Sequence, residues 1–148
     1  MTGHPLLLTR ADRLVNNARD AKISIHHSVA AAFLFGAAGL PEYSDSAVSN
    51  PAIVALRERV QAHADPAVAV GAARVEVRTT GGKVLATEVP HAHGSLALPM
   101  TDGEIEAKVR ALASTGCPAC DIDAIIRTVW RLDQMDDLRP LMRLLAAA

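Results

Sequence analysis

Apolar positions recur at helical spacing through the last third of the chain. Ile105, Val109 and Leu112 form one such set, Ile122, Ile125, Ile126, Val129 and Trp130 a second, and Leu138, Leu141, Met142 and Leu145 a third. Each set lines one side of a 3.6-residue helix. Thr101 and Glu104 make a capping box before the first, and Asp102 adds negative charge at the positive end of the helix dipole. A helix is therefore predicted from there to about residue 113. Asp121 is placed to cap the second set. The apolar stripes of the terminal helices must pack on something, either the open face of a sheet or another chain. Earlier, Ile53, Leu56 and Val60 share a face behind an Asn50 N-cap and Pro51, whose missing N–H costs nothing at the first helical position. Arg57, Glu58 and Arg59 fall mostly on the other side, as a solvated face.

Period-two patterning is clearest in the middle of the chain. Two runs rich in Val and Thr within residues 74–89 flank Gly81-Gly82, which predicts a hairpin, because glycine supplies positive φ at both turn positions without strain. The register stays open, since loops of two and of three residues place Leu85 on opposite faces relative to Val75 and Val77. Residues 61–70 carry a short strand near Asp65-Pro66. The first 21 residues begin as loop; beyond it Arg10, Asp12, Arg13, Asn16, Asn17, Arg19 and Asp20 surround only Leu14 and Val15 as apolar anchors, so the segment is peripheral.

Residues 22–36, KISIHHSVAAAFLFG, join polar chemistry to an apolar run. The run is too short to cross a membrane and too apolar for a surface, so it is expected under a cover of protein. Ile23 and Ile25 alternate with polar neighbours as a short strand does, and Ser28 is placed to cap a helix through Val29, Phe33 and Leu34 to Gly36. The polar end then sits at the mouth of a core, which makes Lys22, His26 and His27 the leading site candidates. Adjacent histidines point to opposite faces of a strand and lie well apart on a helix, so they do not readily ligate one ion. For Lys22 taken alone, a surface charge at a strand start is the plainer reading.

Composition narrows the function classes. The chain has 148 residues, half of them apolar, enough for one domain with a core. A net charge of -1 and only two Phe, one Trp and one Tyr leave neither an electrostatic footprint nor a stacking platform for nucleic acid. No leader pattern surrounds Leu6-Leu7-Leu8 and no membrane span is expected, which points to the cytoplasm. Cys117 and Cys120 form one C-x-x-C, a redox pair or half a zinc site; Gly116 and Pro118 mark an interhelical turn, which favours two reduced thiols lining a loop. His91 and His93 share a face if extended, but an exposed loop suits them better than a metal site. Ser28 has no nucleophile elbow around it, and Gly81-Gly82 is a turn rather than a phosphate cradle.

Four stretches in order, KISIHHSVAAAFLFG, SNPAIVALRERV, EVRTTGGKV and HGSLALPMTDGEIEAKV, together resemble the C-terminal, small-domain portion of the MmgE/PrpD family, which includes 2-methylcitrate dehydratase, cis-aconitate decarboxylase and iminodisuccinate epimerase. The region from Trp130 to Leu145 is similar to the family's C-terminal helices. The resemblance implies an α+β fold: a two-layer sandwich with a small, mostly antiparallel sheet, helices on one face, and C-terminal helices. It divides the chain into an extension (1–21), the family-like domain (22–113) and a helical segment (114–148) packing on that domain or a partner. It also implies cofactor-free, metal-free lyase or isomerase chemistry on small polycarboxylates. In that chemistry Lys22 binds a substrate carboxylate and His27 contributes a hydrogen bond or proton transfer, with His26 competing for the role. Family members carry a larger helical domain with further catalytic residues. The expectation is therefore a domain inactive by itself, joined by a helical-domain partner chain or forming a homo-oligomer. A non-catalytic binding or oligomerisation module is the alternative.

Overall fold

Ser24 ends one helix and begins the next, and the first half of the fold is arranged around that corner. The computed structural model describes residues 1–8 and 14–146, so Arg10, Asp12 and Arg13 lie outside the described residues. Two units are distinguished, Met1–Leu98 and Pro99–Ala148.

In the first unit, β1 (Thr2–Gly3) and α1 (Pro5–Leu8) occupy what the sequence suggested was loop. Elements this short leave no periodicity to read. Then come α2 (Ala18–Ile23) and α3 (Ile25–Phe35), where a strand had been expected at Ile23 and Ile25. Caps decide the outcome. Asn17 Oδ1 accepts the N–H groups of Arg19 and Asp20 at 2.9 and 3.0 Å. The Ser24 N–H closes α2 on the Ala21 carbonyl, and Ser24 Oγ accepts the His27 N–H at 3.2 Å to open α3. Ser24, not Ser28, is thus the N-cap. Gly36 ends α3 in the left-handed region, φ 69°. The apolar end of α3 is not covered as expected: Phe33, Leu34 and Phe35 are exposed.

A 3-10 turn (Pro41–Tyr43) and α4 (Asp45–Val48) lead to α5 (Pro51–Arg59), which Asn50 caps through the Ala52 N–H. α5 packs along α3. Ile53 is fully buried, and Arg57, expected on the solvated face, is buried as well. It lies four residues from Ile53 and so shares its side of the helix. Val15, Ala21 and Val48 form a small apolar cluster with Tyr43 against it.

The sheet runs β2 (His63–Ala64), β1, β3 (Ala73–Arg78), β4 (Val84–Val89). β1 is parallel to β2 and antiparallel to β3, and β3 pairs antiparallel with β4, so the domain is α+β with a mixed sheet. The hairpin register is settled by pairing of Val77 with Leu85 and Val75 with Thr87. The Thr79 N–H bonds the Lys83 carbonyl, leaving a three-residue loop in which Gly82 alone, not both glycines, takes positive φ (82°). β4 is exposed throughout.

The second unit holds α6 (Asp102–Gly116), α7 (Ile122–Val129), a 3-10 turn (Leu132–Gln134) and α8 (Arg139–Ala146). The capping box forms as read, Thr101 and Glu104 each serving the other's backbone N–H. Asp121 caps α7 through the Ala124 N–H. Ile125 and Ile126 are buried, whereas Ile105, Leu112, Met142 and Leu145 remain exposed. Cys117 and Cys120, expected as reduced thiols, are joined in a disulfide. The turn between α6 and α7 bonds the Cys120 N–H to the Cys117 carbonyl and brings the two Cα atoms to 5.5 Å, within the range a disulfide spans. No helix among the described residues is long and apolar enough to cross a membrane.

Candidate functional site

The α2–α3 corner separates the three candidate residues by depth. Lys22 lies in the last turn of α2, where a cation meets the negative end of the helix dipole, and its side chain is exposed. His26 and His27 lie in the first turn of α3 and are buried. Of the three candidates, Lys22 faces solvent and both imidazoles are turned inward.

His27 is the better defined of the two. Its Nε2 lies 2.8 Å from the Glu42 carbonyl oxygen. A carbonyl only accepts, so Nε2 carries the hydrogen and, in the neutral ring, Nδ1 carries a bare lone pair. That Nδ1 atom is buried and has no hydrogen-bond partner among the described residues. The imidazole lies 5.5 Å from the Tyr43 ring, centroid to centroid, at a tilt of 44°. Tyr43 in turn donates to Ser28 Oγ at 2.9 Å, and Ser28 donates to the Ser24 carbonyl at 3.0 Å. The 3-10 turn is thus tied to α3 by two side-chain bonds, one through His27 and one through Ser28. The N–H of Ala18 at the head of α2 donates to Asp45 Oδ1 at 2.8 Å, which fixes the other end of the corner.

Ser24, Glu42, Tyr43 and Arg57 were not singled out from the sequence. The signal for Ser24 was its position one residue before a helix, with its hydroxyl three residues ahead of the His27 N–H. Arg57 was findable from its spacing to Ile53. Glu42 takes part through its carbonyl oxygen, to which side-chain identity gives no clue.

A cleft of about 360 Å³ lined by Thr2, Asp65, Val68, Arg74 and Glu88 lies at the sheet and contains none of Lys22, His26 or His27. His91 and His93 are exposed in the loop after β4. Among the described residues no group of three or more His, Cys, Asp or Glu side chains is placed to hold a metal ion. What the corner can do chemically is present an ammonium to an anion on a rigid, doubly capped support.

Comparison with protein families matches residues 4–134 to the model described as the MmgE/PrpD C-terminal domain. A comparison with curated proteins finds no match.

Proposed function

Because the chain belongs to the MmgE/PrpD family through that C-terminal domain, we propose that it supplies one half of a site for a small polycarboxylate. The family's chemistry, cofactor-free movement of a proton beside a carboxylate, needs a base and a cation that stabilises the developing enediolate. Lys22 is the cation: exposed at the α2–α3 corner, it binds a substrate carboxylate and offsets charge that grows in the transition state. By the family likeness His27, or His26 beside it, contributes a hydrogen bond or proton transfer; His27 is fully buried with Nε2 on the Glu42 carbonyl, which supports a positioning role for it over direct proton transfer to substrate.

The exposure of Lys22 supports the half-site reading. An ammonium in water gains little from one ion pair, so a reactive geometry requires a second surface that encloses the substrate against it. The larger helical domain of the family, in the same polypeptide or in a partner, is that surface. The test is to assay this chain alone, and mixed with the helical domain of a family member, on small tricarboxylates. Turnover is expected only in the mixture, with loss in Lys22→Ala. Turnover by the 148 residues alone would overturn the half-site, and absence of both association and turnover in the mixture would overturn the assembly.

A second reading, a non-catalytic binding or oligomerisation module, draws on the exposed Phe33, Phe35, Met142 and Leu145. It expects a stable homo-oligomer, and a monomer by light scattering would count against it.

A further inference from the structure

We propose that Cys117 and Cys120 form a reversible disulfide that sets the alignment of α6 against α7, and that Trp130 reports its state. The two half-buried cysteines close the turn between the helices. Cys117 is the C-cap of α6, its N–H bonded to the Ala113 carbonyl at 2.8 Å, and Cys120 directly precedes Asp121, the N-cap of α7. Both helix ends that meet at this turn are therefore fixed by residues in, or next to, the same four-residue ring.

Beyond the turn, one chain of polar contacts joins the helices. Arg110 on α6 bonds Asp123 on α7 at 2.9 Å and Glu106, one turn back, at 3.1 Å. The other oxygen of Glu106 accepts the indole N–H of Trp130 at 2.8 Å. All four side chains are at least partly solvent-exposed, so each contact by itself is weak and relies on the helices being held in register. The disulfide is the covalent part of that register. The bland alternative is a permanent staple, but a ring of four residues removes little chain entropy from the unfolded state, which leaves local alignment as its main effect. Its half-exposure gives a reductant access, which suits a pair that responds to its surroundings.

The reaction is ordinary thiol–disulfide exchange with a dithiol. One thiolate of the reductant attacks a cysteine sulfur, the S–S bond breaks and a mixed disulfide forms. The reductant's second thiolate then displaces the protein sulfur. Two electrons pass to the cysteine pair, which takes up two protons, and the reductant leaves as its own disulfide.

Trp130 is the sole tryptophan of the chain, so its emission isolates this helix pair. The intact chain is equilibrated with oxidised and reduced dithiothreitol at a series of ratios, thiols are trapped with a maleimide, and emission is recorded on the same samples. One two-electron transition is expected, with Trp130 emission shifting along it by several nanometres. Cys117→Ser with Cys120→Ser should hold the emission at the reduced value at every ratio. Glu106→Gln should shrink the redox-dependent shift while leaving the thiol titration in place. The inference is overturned if the thiols never pair at any ratio, or if they pair and separate with Trp130 emission unchanged.

Discussion

At the start of α3, Ser24, His26 and His27 are 1%, 4% and 0% exposed, whereas at its end Phe33, Leu34 and Phe35 are 62%, 40% and 47% exposed. Polarity runs the opposite way to burial along one helix. The polar end is inside with most of its groups bonded, Ser24 at both helix termini, His27 Nε2 to Glu42, and Ser28 to Ser24 and Tyr43, while His27 Nδ1 has no partner among the described residues. A buried polar group so satisfied is tolerated, and an unsatisfied one is costly. Between the ends, Ala30 and Ala31 are buried on the helix that packs against α5. Small side chains let helix backbones approach, so the burial of α3 follows from what its first two turns can contact, and the aromatic end projects past that contact.

The largest effect that sharpens this contrast is at His27. His27→Ala removes a fully buried ring, leaves a void beside Tyr43 and strips the Glu42 carbonyl of its donor. A loss of roughly 2–4 kcal/mol is expected from the cavity and the orphaned acceptor together, measured by urea unfolding of the isolated chain. An unchanged midpoint would mean that the inward-facing imidazole carries no structure, and would break the comparison. Ser24→Ala comes next. It deletes the α3 N-cap and should cost about 1 kcal/mol, read from the same unfolding curves, with α2 keeping its Asn17 cap.

Arg57 extends the contrast to the facing helix and reverses the sign. Its Nη1 is buried with no hydrogen-bond partner among the described residues. Arg57→Met keeps the long unbranched stem and removes the guanidinium, so thermal unfolding should be unchanged or raised by the equivalent of up to about 1 kcal/mol. A clear fall in melting temperature would show that the charge is compensated in solution.

How much of this was legible follows from the same residues. Signals that act within one turn were readable: the Thr101–Glu104 capping box, Asn50-Pro51, Asp121, and the glycine hairpin, whose loop length was settled only by the backbone bond from Thr79 to Lys83. The α2–α3 corner was misread because two isoleucines two apart mimic a strand, while the deciding Asn17 and Ser24 caps act through single hydrogen bonds that leave no periodic trace. Exposure of the aromatic end was hidden for another reason. Hydropathy states what a segment prefers to bury, and the available partner surface decides whether it does. For the candidate site, the sequence pointed to the family and to Lys22, His26 and His27 but not to their depth: Lys22 and His27 are five residues apart, and their opposite exposures depend on packing by Tyr43 and the 3-10 turn.

The smallest effect on the monomer tests the outward half of α3. Phe33→Ser with Phe35→Ser removes aromatic surface that is already in water, so the unfolding free energy of the monomer should move by no more than about 0.5 kcal/mol per site, in contrast to the single substitution at His27. Helix propensity differs little between Phe and Ser, and Gly36 still closes the helix. Assembly should respond where stability does not. If α3 ends in a contact surface for the helical domain of the proposed site, the double variant should unfold like the parent while failing to associate in the reconstitution mixture, and the turnover gained on mixing should disappear. If the apolar end serves a homo-oligomer instead, light scattering should show the parent associating with itself and the variant as a monomer. Should both proteins be monomeric and reconstitute equally well, the aromatic end of α3 has no contact role, and burial of the polar end is left as the only part of the comparison with a physical consequence.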